Sequence, residues 1–449
     1  MSKPNTLANQ ASSQPLGRRE FLQATAMAGA ALAAPSIVPA SALGKNGAVA
    51  PSERIILGGI GIGGRGSFDL RMLLREPEIQ CVAICDPQKD RREKVKREIV
   101  DPRYDNEDCK LYSDIREFLD TRTDIDAVLI TTGDRWHALA SIMAMRAGKD
   151  VYSEKPSSMT IQEGRAVADT AKRYGRVYQT GTQRLSEEHF TVANELLRTG
   201  RLGEVKTVRA HIAPWDAAEM SHDWKEEAPL PPAGEVDWDA WLGPCPWRPY
   251  HPDYVRGGWR GYYDFHTSCI GEWGAHTFMQ CQVALGLAYT SPVEYTYVDN
   301  PYGEGMVTRF DNGVEMILHR DMDKKYWHGS CGVRYEGSEG WVAIADGYDK
   351  PDVSSPALLK EYDKLLNDYK ARTQRPMNHW RDFVDCIISR RQPVADPEMM
   401  HRSMTTVHAA NICMWLKRDM KFDPENEEFI HDPEANRLRS RAQREPWVI

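Results

Sequence analysis

The alternation of apolar and polar residues between positions 52 and 182 predicts a repeated strand–helix pattern. Short apolar runs at 55–57, 82–84, 127–130, 150–152 and 177–178 have the length of buried strands. Between several of them, apolar side chains recur with a helical period, as at Leu139, Ile142 and Met143. Buried strands separated by amphipathic helices are typical of an α/β fold in which helices cover both faces of a doubly wound parallel sheet.

The pattern changes after Thr182. One helix near 190–197 is followed by alternating strands, which include Val208, Ala210 and Ile212. Residues 311–313 (Asp-Asn-Gly) separate two alternating runs and predict a hairpin, and residues 337–340 predict another. Residues 229–261 are rich in Pro, Gly and Trp, which indicates long ordered loops, and helices are expected at 379–388 and 400–415. Residues 183–449 are therefore expected to form a second domain.

Residues 1–42 have the features of an export signal. Arg18 and Arg19 precede a weakly apolar run at 24–34, and the small residues at 40–42 suit cleavage by a signal peptidase. The sequence GRREFL at 17–22 resembles the twin-arginine consensus, whose route carries folded proteins across the membrane. We therefore expect a periplasmic or otherwise exported protein; a disordered basic N-terminus is the alternative.

Composition narrows the class of protein. The 449 residues suffice for two or three domains, and 41% hydrophobic with 27% charged residues is ordinary for globular proteins. A net charge of -8 gives no sign of a nucleic-acid partner. The uncharged stretch 21–44 contains Pro35 and Pro39 and makes a poor transmembrane span, so no stable membrane insertion is expected. Nine cysteines without a CxxC pair do not indicate a disulfide framework.

Residues 61–66 form a GxGxxG sequence between a predicted strand and a predicted helix. Gly61 allows a tight turn, Gly63 lets the backbone approach a pyrophosphate, and Gly66 lets helix and strand pack closely. The next strand ends at Asp86, 20 residues past Gly66, where a carboxylate can accept hydrogen bonds from a ribose. These features predict a dinucleotide site, although a glycine-rich turn with an incidental Asp is the alternative.

Asp86 also predicts the type of cofactor. Its carboxylate would repel a 2′-phosphate, so NAD is preferred over NADP. Arg91 and Arg92 lie close enough in sequence to keep that preference moderate.

The sequence Glu154-Lys155-Pro156 follows a predicted strand, at the edge where open α/β sheets place their ligands. A Lys beside a nicotinamide can exchange a proton with a substrate hydroxyl when burial destabilises its ammonium. Taken alone, a surface Lys before a turn-forming Pro is the simpler interpretation.

The chain resembles the Gfo/Idh/MocA family of sugar and cyclitol oxidoreductases from about residue 54 to the C-terminus, and within it the twin-arginine-exported, planctomycete-type members. The matching segments are GIGIGGRG (59–66), TTGDRWH (131–137), AGKDVYSEKP (147–156), TGTQR (180–184), GPCPWRPYHPDYVRGGWRGYYDF (243–265), EWGAH (272–276), YEGSEGW (335–341) and DPEANRLRSR (432–441). The resemblance implies a Rossmann domain over 52–182. It also implies a C-terminal α/β domain over 183–449 whose open, largely antiparallel sheet walls the active site and forms a homo-oligomer interface.

The resemblance also implies roles for individual residues. Lys155 matches the family's catalytic Lys, and Glu272 and His276 match its Asp-x-x-x-His pair, which assists proton transfer from the substrate hydroxyl. Residues four apart on a helix face the same side, although His276 is equally well interpreted as a core histidine. The expected cofactor-binding residues are Gly61, Ile62, Gly63, Gly64, Arg65, Gly66, Asp86, Thr132, His137, Glu154 and Lys155, and the substrate-contact candidates are Gln183, Arg184, Trp215, Tyr254 and Arg260.

This chain departs from the family pattern near residue 270. Relatives carry a glycine-rich turn and then Asp-Trp-Gly-Ala-His, whereas here side chains replace glycines over 266–271 and Glu272 replaces the Asp. His266, Cys269 and His276 could be imagined as metal ligands, but family members need no metal and none is predicted.

Three functions follow from these features. The leading one is NAD-dependent oxidation or reduction of a sugar or cyclitol hydroxyl, with a tightly bound cofactor and no net redox change, because free NAD is not expected outside the cytosol. The second is an NAD-dependent glycoside hydrolase that acts by transient oxidation and elimination. The third is a non-catalytic NAD-binding protein. The sugar, the reaction direction and the oligomeric state are not specified by the sequence.

Overall fold

The structure, a computed structural model, describes residues 49–212, 220–300, 303–319 and 330–449. Residues 54–449 belong to one unit, and residues 49–53, which include a 3-10 helix at Pro51–Glu53, belong to another. The expected signal segment 1–42 lies outside the described residues.

The first half of this unit is built on a parallel sheet. Six strands lie in the order β3-β2-β1-β4-β5-β6: β1 (Ile55–Ile60), β2 (Ile79–Cys85), β3 (Lys110–Tyr112), β4 (Ala127–Ile130), β5 (Asp150–Ser153) and β6 (Tyr178–Thr180). The order reverses between β1 and β4, which opens a crevice at the carboxyl ends of these two strands. That crevice is where a ligand is expected in a sheet of this kind.

Helices cover both faces of this sheet. They are α1 (Gly64–Leu73), α2 (Lys89–Val95), which continues through a π turn at Lys96–Val100 into α3 (Asp101–Tyr104), α4 (Ile115–Thr121), α5 (Asp134–Arg146) and α6 (Ile161–Tyr174). Strand β4 is buried throughout. Burial on both faces explains why its sequence is a continuous apolar run without polar alternation.

The second half contains a mixed sheet of nine described strands. Their order is β13-β12-β11-β7-β10-β9-β8-β14-β15, with only β7 and β10 parallel: β7 (Val205–His211), β8 (Glu294–Asn300), β9 (Gly303–Arg309), β10 (Glu315–His319), β11 (Ser330–Gly337), β12 (Gly340–Asp346), β13 (Asp352–Val353), β14 (Met420–Asp423) and β15 (Glu428–Phe429). Its helices are α7 (Glu188–Arg198), α8 (Trp238–Leu242), α9 (Pro252–Val255), α10 (Ser268–Ala284), α11 (Tyr362–Thr373), α12 (His379–Ser389), α13 (Pro397–Leu416) and α14 (Pro433–Arg437), with 3-10 turns at Gln183–Ser186 and Pro356–Leu359.

Two long helices join this sheet to the rest of the unit. Helices α10 and α13 pack against each other, α10 lies on β7, and α13 also contacts α6. Helix α12 returns to the first sheet, where Phe383 and Val384 share a core with Leu57 and Leu70. Trp447, near the C-terminus, lies in the core on the same sheet with Trp136. The C-terminal part of the chain therefore packs on both sheets.

The fold class predicted from the sequence is confirmed, and so are both hairpins. Residues 311–313 join antiparallel β9 and β10, and residues 338–339 join antiparallel β11 and β12. Strand β3 was not predicted, because three partly exposed residues carry no hydrophobic pattern. Helix α10 has no amphipathic period because nearly all its residues are buried, so only the family resemblance placed a helix there.

Candidate active site

The glycine-rich turn predicted at 61–66 joins β1 to α1, and two of its glycines are required by close contacts. Gly61 has a φ of +68°, and a Cβ there would lie 2.4 Å from Thr132 Cγ2. A Cβ on Gly66 would lie 2.0 Å from Thr131 Oγ1, on the residue that follows β4. The turn is therefore held tightly against the end of β4, as the GxGxxG spacing predicted.

The other two glycines of this turn face open space. A Cβ on Gly63 would meet only Arg91 Nη1 at 4.0 Å, and one on Gly64 would meet nothing within 4 Å. Gly63 is the N-cap of α1 and gives no side-chain cap to its first amides. Amides at a helix N-terminus that face open space suit a diphosphate.

A cavity of about 520 Å³ lies over this turn. Its lining includes Gly61, Ile62, Gly63, Gly64, Arg65, Asp86, Arg91, Thr132, Arg135, Trp241, Trp259 and Arg260. Thr132 Oγ1 is buried and has no partner among the described residues. The cavity thus offers the backbone of Gly63 and Gly64, the Thr132 hydroxyl and the Asp86 carboxylate to one ligand. Such a set of groups fits a dinucleotide.

Asp86 lies directly after β2, on the far side of β1 from Thr132. Its carboxylate accepts a hydrogen bond from the Gln88 amide at 2.8 Å and is only 3% exposed. Burial raises the pKa of the Asp86 carboxyl to about 6, although the positive charge of Arg91 opposes that rise. A buried carboxylate at this position is placed to accept hydrogen bonds from ribose hydroxyls.

Lys155 follows β5 and contacts α10. Its Nζ donates a hydrogen bond to the main-chain oxygen of Glu272 at 2.8 Å and lies 5.2 Å from the centre of the Trp273 ring. The bond joins two residues that the family resemblance assigned to catalysis. Lys155 does not itself line the nucleotide cavity.

The Glu272 side chain lies among three positively charged or protonatable groups. Its Oε1 accepts a hydrogen bond from Arg260 Nε at 2.8 Å and lies 3.5 Å from His266 Nε2, the outer limit of hydrogen-bonding distance. Burial alone would raise the pKa of the Glu272 carboxyl, but His266, Arg260 and Lys155 lower it to about 2. Glu272 is therefore ionised throughout the physiological pH range.

The tautomer of His266 follows from its backbone contact. His266 Nδ1 accepts a hydrogen bond from the Gly261 amide at 3.1 Å, so in the neutral ring the proton is on Nε2, which faces Glu272. The two residues at which the family resemblance predicted a departure, His266 and Glu272, therefore face each other.

His276 lies one helical turn after Glu272 and is 8% exposed. Burial lowers the pKa of the His276 imidazole well below its ordinary value, and the positive charges of Arg184, Lys155 and Arg65 lower it further. Its Nδ1 has no partner among the described residues. His276 is therefore neutral, with a ring nitrogen available for a hydrogen bond.

Two carboxyl groups, those of Asp69 and Glu154, lie close together at the residue that precedes Lys155. Arg65 Nε is 3.1 Å from Asp69 Oδ2 and 3.4 Å from Glu154 Oε1, and Gln183 Nε2 donates to the same Glu154 oxygen at 2.7 Å. Burial and the neighbouring Glu154 raise the pKa of the Asp69 carboxyl, against the effect of Arg65. Two buried carboxyl groups side by side retain a proton between them more readily than either would alone.

Two further residues predicted to bind the cofactor or the substrate, His137 and Arg184, do not line the cavity. His137 contacts the main-chain oxygens of Pro156 at 2.7 Å and Thr132 at 3.1 Å, so it joins two turns of the site and does not line the cavity. Arg184 is buried and pairs with Asp346 at 2.7 Å. Trp215 lies outside the described residues.

Tyr254 has no exposed surface. It packs among Trp238, Tyr262 and Phe265, and its hydroxyl accepts a hydrogen bond from the Lys225 amide at 2.8 Å. In this conformation the side chain supports the loops over the cavity.

Sequence reasoning missed Asp69 and Arg135. Asp69 is four residues after Arg65 on α1, a spacing that signals an ion pair but not the contact with Glu154. Arg135 lies inside the TTGDRWH segment, whose family resemblance drew attention to Thr132 and His137 instead.

The fold and this site define an NAD-binding oxidoreductase. The family model described as "Oxidoreductase family, NAD-binding Rossmann fold" matches residues 56–182, and the one described as "Oxidoreductase family, C-terminal alpha/beta domain" matches residues 196–449. The chain belongs to the Gfo/Idh/MocA oxidoreductase family.

Curated relatives match over part of the chain. An alpha-N-acetylgalactosaminidase from Shewanella oneidensis is 29% identical over 223 residues, which cover 46% of this chain and 48% of the relative. A glycosyl hydrolase family 109 protein from Shewanella baltica has the same identity and coverage. The chain spans about half the length of these relatives.

Solved structures share the fold over most of the chain. A myo-inositol 2-dehydrogenase from Lactobacillus plantarum has a TM-score of 0.56 at 18% identity and covers 82% of this chain and 100% of its own. An aldose-aldose oxidoreductase from Caulobacter crescentus, complexed with glycerol, has a TM-score of 0.54 at 17% identity, with 82% and 100% coverage.

The position of Asp86 predicts the outcome of its removal. Asp86→Ala should weaken selectivity for NAD over NADP, because it deletes both the ribose acceptor and the charge that repels a 2′-phosphate. The ratio of dissociation constants for the two nucleotides measures the effect. An unchanged ratio would mean that Asp86 does not bind the ribose.

The pKa of Asp86 predicts a pH dependence of NAD binding. The ribose hydroxyls require the ionised carboxylate as acceptor, so NAD affinity should fall as the pH drops below about 6. Calorimetric titrations from pH 5 to 8 test this, with Asp86→Asn as the control that should show a flatter profile. Equal slopes in both proteins would assign the pH dependence to another group.

Proposed function

We propose that the protein is an NAD-dependent oxidoreductase that acts on a hydroxyl of a sugar or cyclitol. The observation that carries this proposal is the contact of Lys155 with Glu272 beside the neutral His276. The nucleotide cavity adjoins this group, because its lining residues Arg65 and Arg260 bond Glu154 and Glu272. A lysine and an uncharged imidazole beside a nicotinamide suit a substrate with a hydroxyl proton to move.

We assign Lys155, His276 and Glu272 different roles in the proposed reaction. When bound, NAD accepts or donates the hydride at nicotinamide C4. Lys155 Nζ exchanges the proton of the substrate hydroxyl, and His276, which is uncharged and whose Nδ1 has no partner among the described residues, assists it. Ionised Glu272 keeps Arg260 and His266 in place at the edge of the cavity.

The N-terminal segment is the basis for proposing where the protein is located and how its cofactor is reused. A twin-arginine signal at 1–42, as in planctomycete-type relatives, would export the protein already folded to the periplasm. The cofactor would then be loaded in the cytosol and stay bound, with each oxidation matched by a reduction. The C-terminal sheet would supply a homo-oligomer interface.

A glycoside hydrolase is the second candidate, and the curated relatives favour it. The relatives named alpha-N-acetylgalactosaminidase and glycosyl hydrolase family 109 protein match about half of the chain. In such an enzyme, transient oxidation of the sugar would permit elimination of the aglycone, followed by hydration and re-reduction. The same proton-transfer groups would serve both reactions.

One screen separates the two candidates. The purified protein is incubated with free sugars, cyclitols and aryl glycosides, including N-acetylgalactosaminides, while nicotinamide absorbance and released phenol are recorded. Changes in absorbance with free sugars and no phenol release support the oxidoreductase. Phenol release without lasting change in absorbance supports the hydrolase, and neither response to any substrate supports a non-catalytic NAD-binding protein.

Lys155→Met should slow the chemical step by roughly a hundredfold or more, the usual scale for an acid–base group. Bound nucleotide and thermal stability should change little, because the glycine turn and Asp86 hold the cofactor. Single-turnover kinetics and melting temperature are the measurements. Turnover near the wild-type rate would overturn the mechanism.

Lys149→Met is a matched control, since Lys149 lies at the other end of β5. Its ammonium bonds the main-chain oxygens of Arg122, Thr123 and Ile125, so this variant should lose stability and keep the chemical rate. His276→Ala should act in the same direction as Lys155→Met. The double variant should lose less than the product of the two effects if both residues act on one proton.

The protein should purify from its exported compartment with about one nicotinamide nucleotide per chain. Export in the folded state leaves no later opportunity to bind NAD. Mass spectrometry of the denatured protein and absorbance of the released nucleotide give the stoichiometry. Nucleotide-free protein that needs added NAD for every turnover would contradict the redox-neutral cycle but not the family.

A further inference from the structure

The cavity wall contains a buried arginine that the mechanism above does not use. Arg135 is the second residue of α5, is 4% exposed, and lines the nucleotide cavity. Its guanidinium lies 3.6 Å from the centre of the Trp241 ring, and its Nε donates to the Trp241 main-chain oxygen at 3.0 Å. The side chain is thus held in one orientation by stacking and by one hydrogen bond.

The far end of this guanidinium has no partner. Arg135 Nη1 is buried and makes no hydrogen bond among the described residues. The carboxylate of the preceding residue, Asp134, accepts hydrogen bonds from the amide and the hydroxyl of Thr267, at 3.1 Å and 2.8 Å. A buried cationic donor without a partner is costly, and such a group is expected to meet an anion in the liganded state.

The other three arginines of the cavity differ in this respect. Arg65 pairs with Asp69 and Glu154, and Arg260 pairs with Glu272. Arg91 donates to the Val255 main-chain oxygen at 2.7 Å. Among these four arginines, Arg135 is the one with a buried, unpartnered nitrogen at the cavity wall.

Gly133 leaves the space that Arg135 Nη1 occupies. A Cβ on Gly133 would lie 2.4 Å from Nη1, so only glycine leaves room for the guanidinium there. Gly133 follows Thr132, which touches the glycine turn at Gly61. Arg135 therefore reaches the cavity on the β4 side of that turn, opposite Asp86.

We propose that Arg135 binds the diphosphate of the dinucleotide, with Nη1 donating to a phosphate oxygen. The diphosphate is the anionic part of NAD, whereas the oxidised nicotinamide ring carries a positive charge that a guanidinium would repel. Planar guanidinium groups bind phosphate oxygens strongly and directionally. This inference rests on the NAD-binding fold and is independent of the proposed substrate.

The test compares ligands that contain different parts of NAD. Affinities of adenosine, ADP and NAD are measured by calorimetry for the wild type and Arg135→Met, which keeps an aliphatic stem over Trp241 and removes the charge. ADP and NAD should each bind about tenfold to a hundredfold more weakly, the scale for loss of a charged hydrogen bond, and adenosine should be unaffected. For protein that retains nucleotide, the rate of NAD release is compared instead.

Two further readouts separate binding from a structural role. Phosphorus NMR of bound ADP should show shifted diphosphate resonances in Arg135→Met. The melting temperature of the nucleotide-free variant should equal or exceed that of the wild type, because an unpaired buried charge has been removed. Arg116→Met is the matched control: Arg116 also stacks on a tryptophan, Trp447, but does not line the cavity.

Three results would overturn the proposal. They are unchanged ADP affinity, weaker NAD binding with ADP unaffected, and a lower melting temperature with normal ADP binding. If Arg135→Met fails to fold, Gly133→Ala displaces the guanidinium without deleting it and should weaken ADP in the same way. Normal ADP affinity in a folded Gly133→Ala protein would equally count against a diphosphate contact.

Discussion

The hydrogen bond from Lys155 Nζ to the main-chain oxygen of Glu272 is the interaction on which the active site depends. Lys155 extends from the end of a strand in the parallel sheet, and Glu272 lies on the buried helix α10 beneath the second sheet. The bond therefore holds the Lys155 side chain against the helix that carries His276. Since the acceptor is a backbone atom, this bond does not require a particular side chain at residue 272.

Around that bond, burial and neighbouring positive charges set the protonation states of Glu272 and His276. Arg260, Lys155 and His266 stabilise one ionised carboxylate at Glu272. Burial keeps His276 neutral, and the positive charges of Arg184, Lys155 and Arg65 add to that effect. Glu272 and His276, one helical turn apart, are therefore both in their basic forms near neutral pH, the first as a carboxylate and the second as an uncharged imidazole.

The parts of the site that follow from local sequence could be predicted. Gly61, Gly63 and Asp86 have roles set by a turn and by the end of the next strand, so spacing alone located them. The contact of Asp69 with Glu154 and the orientation of Arg135 depend on residues more than 80 positions apart along the chain, and no period or motif encodes such contacts. Likewise, the aromatic character of Tyr254 did not distinguish a ligand contact from packing among neighbouring rings.

The nucleotide cavity contains polar groups that bound NAD can stabilise. Asp86 is buried with its pKa raised, and Arg135 Nη1 and Thr132 Oγ1 make no hydrogen bond among the described residues. A hydrogen bond from NAD to any of these groups would stabilise the folded chain, because a ligand that binds only the folded state adds to its stability.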